Sequence, residues 1–149
     1  MPENREDDQQ LIDRFGGHGI NRDNAAHFRG RLERRLLMSR CGDCGRWQHP
    51  SRPMCPDCWS WNMTPEEVSG RGTIHLLMEL HQGPPAEGVD YRDGHPVVTV
   101  ELEEQPALRF TSTVTADFPD DDLEIGAPVE LEWIDRDGTP MPVFRTRSA

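Results

Sequence analysis

The hydrophobic positions of this chain change period once. Over residues 22–38, Ala25, Phe28, Leu32 and Leu36 recur every three to four residues and form one apolar stripe. That spacing predicts an amphipathic helix, within a helical segment of residues 21–38 that Asn21 or Asp23 can cap. Beyond residue 70 the period falls to two. Ile74, Leu76, Met78 and Leu80 alternate with His75, Leu77, Glu79 and His81. Val98, Val100 and Leu102 alternate with Thr99, Glu101 and Glu103. Leu108, Phe110 and Val114 alternate with Arg109, Thr111, Thr113 and Thr115. Val129, Leu131 and Trp133 alternate with Glu130 and Glu132, and a short run, Val143-Phe144-Arg145, follows the Asp137-Gly138 turn. Each run predicts a strand with its apolar side chains facing inward. Residues 118–126, acidic at their start and closed by Gly126, predict a helical turn between the third and fourth strands. Five strands with a turn in that place predict a Greek-key barrel of OB type over residues 68–147. The long loop between its first two strands, residues 83–94, is the expected recognition element and offers Tyr91 and Arg92. Residues 1–20 are polar and read as a disordered tail. Their run Phe15-Gly16-Gly17-His18-Gly19 follows no strand and lacks the spacing of a nucleotide loop.

Between helix and barrel lie all four cysteines, spaced Cys41-x2-Cys44-x10-Cys55-x2-Cys58. Two close CxxC pairs can converge four thiolates on one tetrahedral ion, which suits structural zinc in a ribbon over residues 39–62. Glycine at Cys44-Gly45 permits a knuckle turn, and Cys55-Pro56 reads as the second knuckle. Iron is open to the same ligands in a rubredoxin-like site. Two disulfides are disfavoured because the charged N-terminus, MPENREDDQQ, reads as no secretory signal. With four thiolates filling the shell, no position is left for water or substrate, and His49 is not needed as a ligand. Trp47, Trp59 and Trp61 crowd this small module. They are expected to pack over it, with at least one left outside as a partner anchor.

The architecture is thus mainly β: an N-terminal helix, a four-cysteine zinc ribbon, then the five-stranded barrel. Charge is divided along it. Residues 1–62 carry ten arginines and nine acidic residues; residues 63–149 carry six and eighteen, within a total of −11. Every basic residue is arginine. The acidic barrel would repel a phosphate backbone, so only the helix and ribbon could serve the alternative of a nucleic-acid-binding module. Reduced cysteines and the lack of a long apolar run point to a cytoplasmic protein without a membrane span.

In this order the segments resemble a known family: small zinc-ribbon/OB-fold proteins associated with acyl-CoA enzymes, a family defined as a domain of unknown function. The resemblance rests on RCGDCG at 40–45, PSRPMCPDC at 50–58, VVTVELEE at 97–104, LEIGAPVE at 123–130 and PVFR at 142–145. It implies a non-catalytic subunit that binds and stabilises a thiolase-like or hydratase-like enzyme in a hetero-oligomer. The implied chemistry is aldolase or thiolase chemistry of lipid or steroid side-chain degradation, on the partner, with this chain helping to form the acyl-CoA site. Arg31, Arg34 and Arg35 of the helix, with Trp59, Tyr91 and Arg92, are the expected contacts to partner or CoA. The family commonly has glycine after the fourth cysteine. Trp59 stands there instead, which argues against a left-handed turn and marks a specialised contact. The chain has little chemistry of its own: it lacks GxSxG, HExxH and P-loop motifs, and His75, His81 and His95 are scattered on or beside strands.

Overall fold

The computed structural model describes residues 5–148. The chain divides into two units, with the boundary between Glu67 and Val68.

The first unit opens with a helix, α1 (Arg5–Phe15), where the sequence suggested a disordered tail. Leu11 and Phe15 are the reason. They are 1% and 4% exposed and pack with Ala25 and Phe28 of α2 (Ala25–Leu32), so this segment has an apolar partner surface that polarity averages hide. The Phe15 and Phe28 rings lie 5.0 Å apart, and Arg29 pairs with Asp8 across the two helices. Residues 1–4 of the expected tail lie outside the described residues. The Asn21 side-chain oxygen accepts from the Asp23 and Asn24 amides at 2.9 and 3.0 Å and turns the chain into α2.

The helix expected to reach residue 38 stops at Leu32. Arg34 adopts a left-handed φ of 57°. Its N–H donates to the Arg31 carbonyl at 3.1 Å, and the Arg35 N–H donates to the Gly30 carbonyl at 2.8 Å. These two bonds form a Schellman stop, with arginine where glycine is usual. A Cβ on Gly30 would lie 2.7 Å from the Arg35 carbonyl, so this reversal requires glycine at position 30. Leu36 is buried beyond the helix rather than on it, and a strand follows. β1 (Leu37–Cys41), β2 (Trp47–Gln48) and β3 (Met63–Glu67) form an antiparallel sheet in the order β2-β1-β3.

The second unit is a five-stranded sheet in the order β6-β5-β4-β7-β8. Its strands are β4 (Arg71–Leu80), β5 (His95–Leu102), β6 (Arg109–Ser112), β7 (Pro128–Arg136) and β8 (Thr139–Thr146). A parallel bridge joins Val114 to Phe144, so the sheet curls and closes on itself. The short turn Asp120–Asp122 lies between the third and fourth strands of this sheet. Ile74, Val98, Val100, Leu102, Val129, Val143 and Phe144, each 2% exposed or less, fill the interior. Strand order, turn and closure are those of the expected OB-type barrel.

One face assignment differs. The pairing of β4 with β5 shifts register between Ile74 and Leu76. This irregularity turns Leu76, Met78 and Leu80 outward, 49%, 48% and 38% exposed, where simple alternation had placed them inside. Leu77, opposite Val98, takes the inward role. One extra residue in a strand reverses every side chain after it.

Candidate metal centre

Each CxxC pair sits on a tight turn built from backbone hydrogen bonds. In the first, the Gly45 N–H donates to the Cys41 carbonyl at 2.9 Å, and the Cys41 N–H donates to the Arg46 carbonyl at 2.8 Å. In the second, Trp59 donates to Cys55 at 3.0 Å and Cys55 to Ser60 at 2.9 Å. The two knuckles are the same structure. Gly45 has φ 81° and Trp59 has φ 61°. The left-handed turn that Trp59 argued against is therefore present, and the tryptophan bears it.

The knuckles are tied to each other. The Arg46 guanidinium spans both carboxylate oxygens of Asp57 at 2.9 Å. Asp43 accepts from the Ser60 hydroxyl, and the Gly42 N–H donates to the Asn62 carbonyl at 2.8 Å. Their four Sγ atoms consequently lie within 4.8 Å of one another, with Cys41 and Cys55 buried and Cys44 and Cys58 exposed.

Such a cluster cannot ionise freely. The Cys44 N–H draws the Cys41 thiol down to about 6. At Cys58 the Ser60 N–H also pulls downward, but burial and the neighbouring thiols push the group up to about 12. Cys44 is likewise raised, its bond from the Arg46 amide outweighed by burial and the Cys55 thiol. One thiolate forms easily and the next repels it, so a shared cation is what makes four thiolates compatible. The donor set fits a soft, tetrahedral ion held for structure.

His49 is not part of this set. Its ring lies 5.2 Å from that of His27, and burial and His27 push it down to about 4. His27 is held below its ordinary value chiefly by burial, although its Nδ1 lies 2.7 Å from the Leu37 carbonyl oxygen.

Most of the other expected contact residues also have partners within the chain. Arg31 lies 5.4 Å over both Phe15 and Phe28, and burial draws its guanidinium down to about 10. Arg34 forms the helix stop. Arg35 pairs with Glu67 at 3.4 Å and Glu33 at 3.5 Å. In the second unit the Tyr91 hydroxyl donates to the Pro84 carbonyl at 2.7 Å, and Arg92 pairs with Asp90 at 2.9 Å, so both organise the 83–94 loop. Trp47 is buried beneath the Arg40 guanidinium, whereas Trp59 and Trp61 are 72% and 73% exposed. Sequence reasoning missed two surfaces: the outward Leu76–Met78–Leu80 row, which alternation conceals, and a cleft beside α2. The cleft is lined by Arg22, Arg52 and Trp61, which no motif connects. No described helix is long and apolar enough to cross a membrane.

Comparison with known proteins covers both units. The profile described as "ChsH2, rubredoxin-like zinc ribbon domain" matches residues 28–64, and "ChsH2, C-terminal OB-fold domain" matches residues 65–133. A "Probable enoyl-CoA hydratase alpha subunit" of Thermomonospora curvata is 38% identical over 128 residues, 85% of this chain. The chain spans only 38% of that relative's length. A "DUF35 domain-containing scaffold protein" of Pyrococcus furiosus is 31% identical over 105 residues, 70% of this chain and 71% of the relative. Among solved structures, a chain of the "Ltp2-ChsH2(DUF35) aldolase" superposes with TM-score 0.74 at 34% identity, covering 86% of this chain and 97% of that one.

Proposed function

The chain belongs to the ChsH2 family of zinc-ribbon and OB-fold proteins, the DUF35 family, and on that premise we propose that it is a non-catalytic accessory subunit of an acyl-CoA enzyme. The partner is thiolase-like or hydratase-like, and the assembly is a hetero-oligomer acting in cleavage of a lipid or steroid side chain. The single observation that carries this reading is the match of ribbon and barrel together to the chain from an aldolase complex. Chemistry agrees with it. The four sulfurs form one metal site, which we take to hold zinc, and zinc there leaves no thiol free for attack. The role left to this chain is interface area, including the outward apolar row on β4.

Affinity purification of the tagged chain from its native cell, with mass-spectrometric identification of stoichiometric companions, tests the proposal. A thiolase-like or hydratase-like chain in equimolar amount, whose activity on acyl-CoA falls when this chain is removed, is the expected result. Recovery of the chain alone, or with nucleic acid, would overturn it.

A further inference from the structure

The first unit contains a cleft of about 420 Å³ between the start of α2 and the ribbon sheet. Its size is that of small-molecule sites, roughly 300–1,000 Å³. Leu37 and Ser39 of β1 line it together with Met63 and Pro65 of β3, and Ser39 pairs directly with Pro65 across the sheet. Trp61 continues the Met63–Pro65 alternation to the mouth, where its indole is 73% exposed.

The cations at this mouth are distinctive. Arg29 pairs with Asp8, Arg35 with Glu67, Arg40 with Glu66 and Arg46 with Asp57, while Arg31 stacks on two phenylalanines. Arg14 and Arg34 are also engaged. Among this unit's arginines whose side chains are described, that leaves Arg22 and Arg52 without a partner, and both line the cleft. A free guanidinium is a forked donor matched to phosphate, and an exposed indole is a platform for a flat base. Asp23, on the same rim, can accept from a sugar hydroxyl.

We propose that this cleft binds an adenosine phosphate, with the base on Trp61 and the phosphates between Arg22 and Arg52. Extending this to the 3′-phosphorylated adenosine end of a CoA thioester rests on the acyl-CoA reading above. A nucleic-acid strand fits less well, because it asks for a track of cations rather than two.

The test is calorimetric titration of the metal-loaded full chain with adenosine 3′,5′-bisphosphate, with tryptophan fluorescence recorded in parallel. Saturable one-to-one binding that weakens with salt is expected. The Arg22→Glu/Arg52→Glu double variant should weaken it about 100-fold, and Trp61→Ala about tenfold. Ile125→Ser, at an exposed apolar side chain of the second unit outside the cleft, should leave it unchanged. Because the altered side chains are exposed, thermal midpoints should hold across the cleft variants. Absence of saturation at millimolar nucleotide, or binding that survives the double variant, would overturn the site. Binding of a hexaglutamate peptide in place of the nucleotide would also overturn it and give the cleft to an acidic segment of a partner. The isolated chain is used, so failure here leaves the accessory-subunit reading standing, and failure to recover a partner leaves this titration readable.

Discussion

Trp59 and Arg34 occupy left-handed backbone positions that cost an L-residue roughly 1–2 kcal/mol and a glycine little. Trp59 is 72% exposed, so it recovers little of that cost by packing. Comparing Trp59→Gly with Trp59→Ala isolates the backbone contribution, since both remove the indole. Chemical denaturation should find the glycine variant more stable by about 1 kcal/mol; equal stability would mean the turn is unstrained. His49 sets a second single-residue effect. Its folded value, about 4, lies below the unfolded value of 6.5. The neutral ring therefore stabilises the fold fully above pH 6.5, and that contribution is lost as pH falls toward 4. The loss is on the order of 3 kcal/mol across the interval, and His49→Phe should flatten the slope. Stability measured between pH 6.5 and 5.5, with metal bound, checks this. The convergence of the four cysteines was legible from spacing alone, because two CxxC pairs leave few geometries. The left-handed Trp59 was not, because residue preference argues against what the knuckle hydrogen bonds impose.

At the scale of elements, the irregularity in β4 decides which apolar residues are core and which are surface. Met78→Ser should change stability by less than about 1 kcal/mol, whereas Ile74→Ala should cost about 2–5 kcal/mol. Urea midpoints of the two variants measure the contrast. A large loss at Met78 would return it to the interior. The number, order and period of the strands were readable because β4 to β7 each keep two-residue alternation over much of their length, and the Asp137-Gly138 turn announces β8. The reversal after Ile74 was not, since an added residue leaves the alternation intact on both sides. For the same reason the apolar series Ala25, Phe28, Leu32 and Leu36 overran its helix: the stop lies in Gly30 and the conformation of Arg34, not in hydropathy.

For the whole molecule, two units have two different sources of stability. The second has a closed apolar interior, while the sheet of the first is organised around four sulfurs. Metal binding to such a site is worth on the order of 10–16 kcal/mol and is folding energy. A strong chelator should therefore abolish hydrogen-exchange protection across residues 37–67 while the amides of Val98, Val100 and Val143 stay protected. Loss of both sets together would make metal a requirement for the entire chain. The two-unit plan was legible from the change of period near residue 70. The cleft was not, since Arg22, Arg52 and Trp61 meet only after α2 and the ribbon have folded.

The bridge between Val114 and Phe144 joins positions 30 residues apart, and β4 must pair with β7 across a still longer separation. Such a barrel is slow to form, on the millisecond-to-second scale of non-local β topologies, because the loops must close before any contact rewards them. On the ribosome it cannot close until β8 has emerged. The sulfur cluster comes out more than eighty residues earlier and, given metal, can organise first. Once β7 has emerged and until β8 follows, the nascent chain would display the unpaired edge of β7 and the apolar interior of the open sheet together, which makes synthesis, rather than the finished fold, the stage at which this protein is most exposed to aggregation.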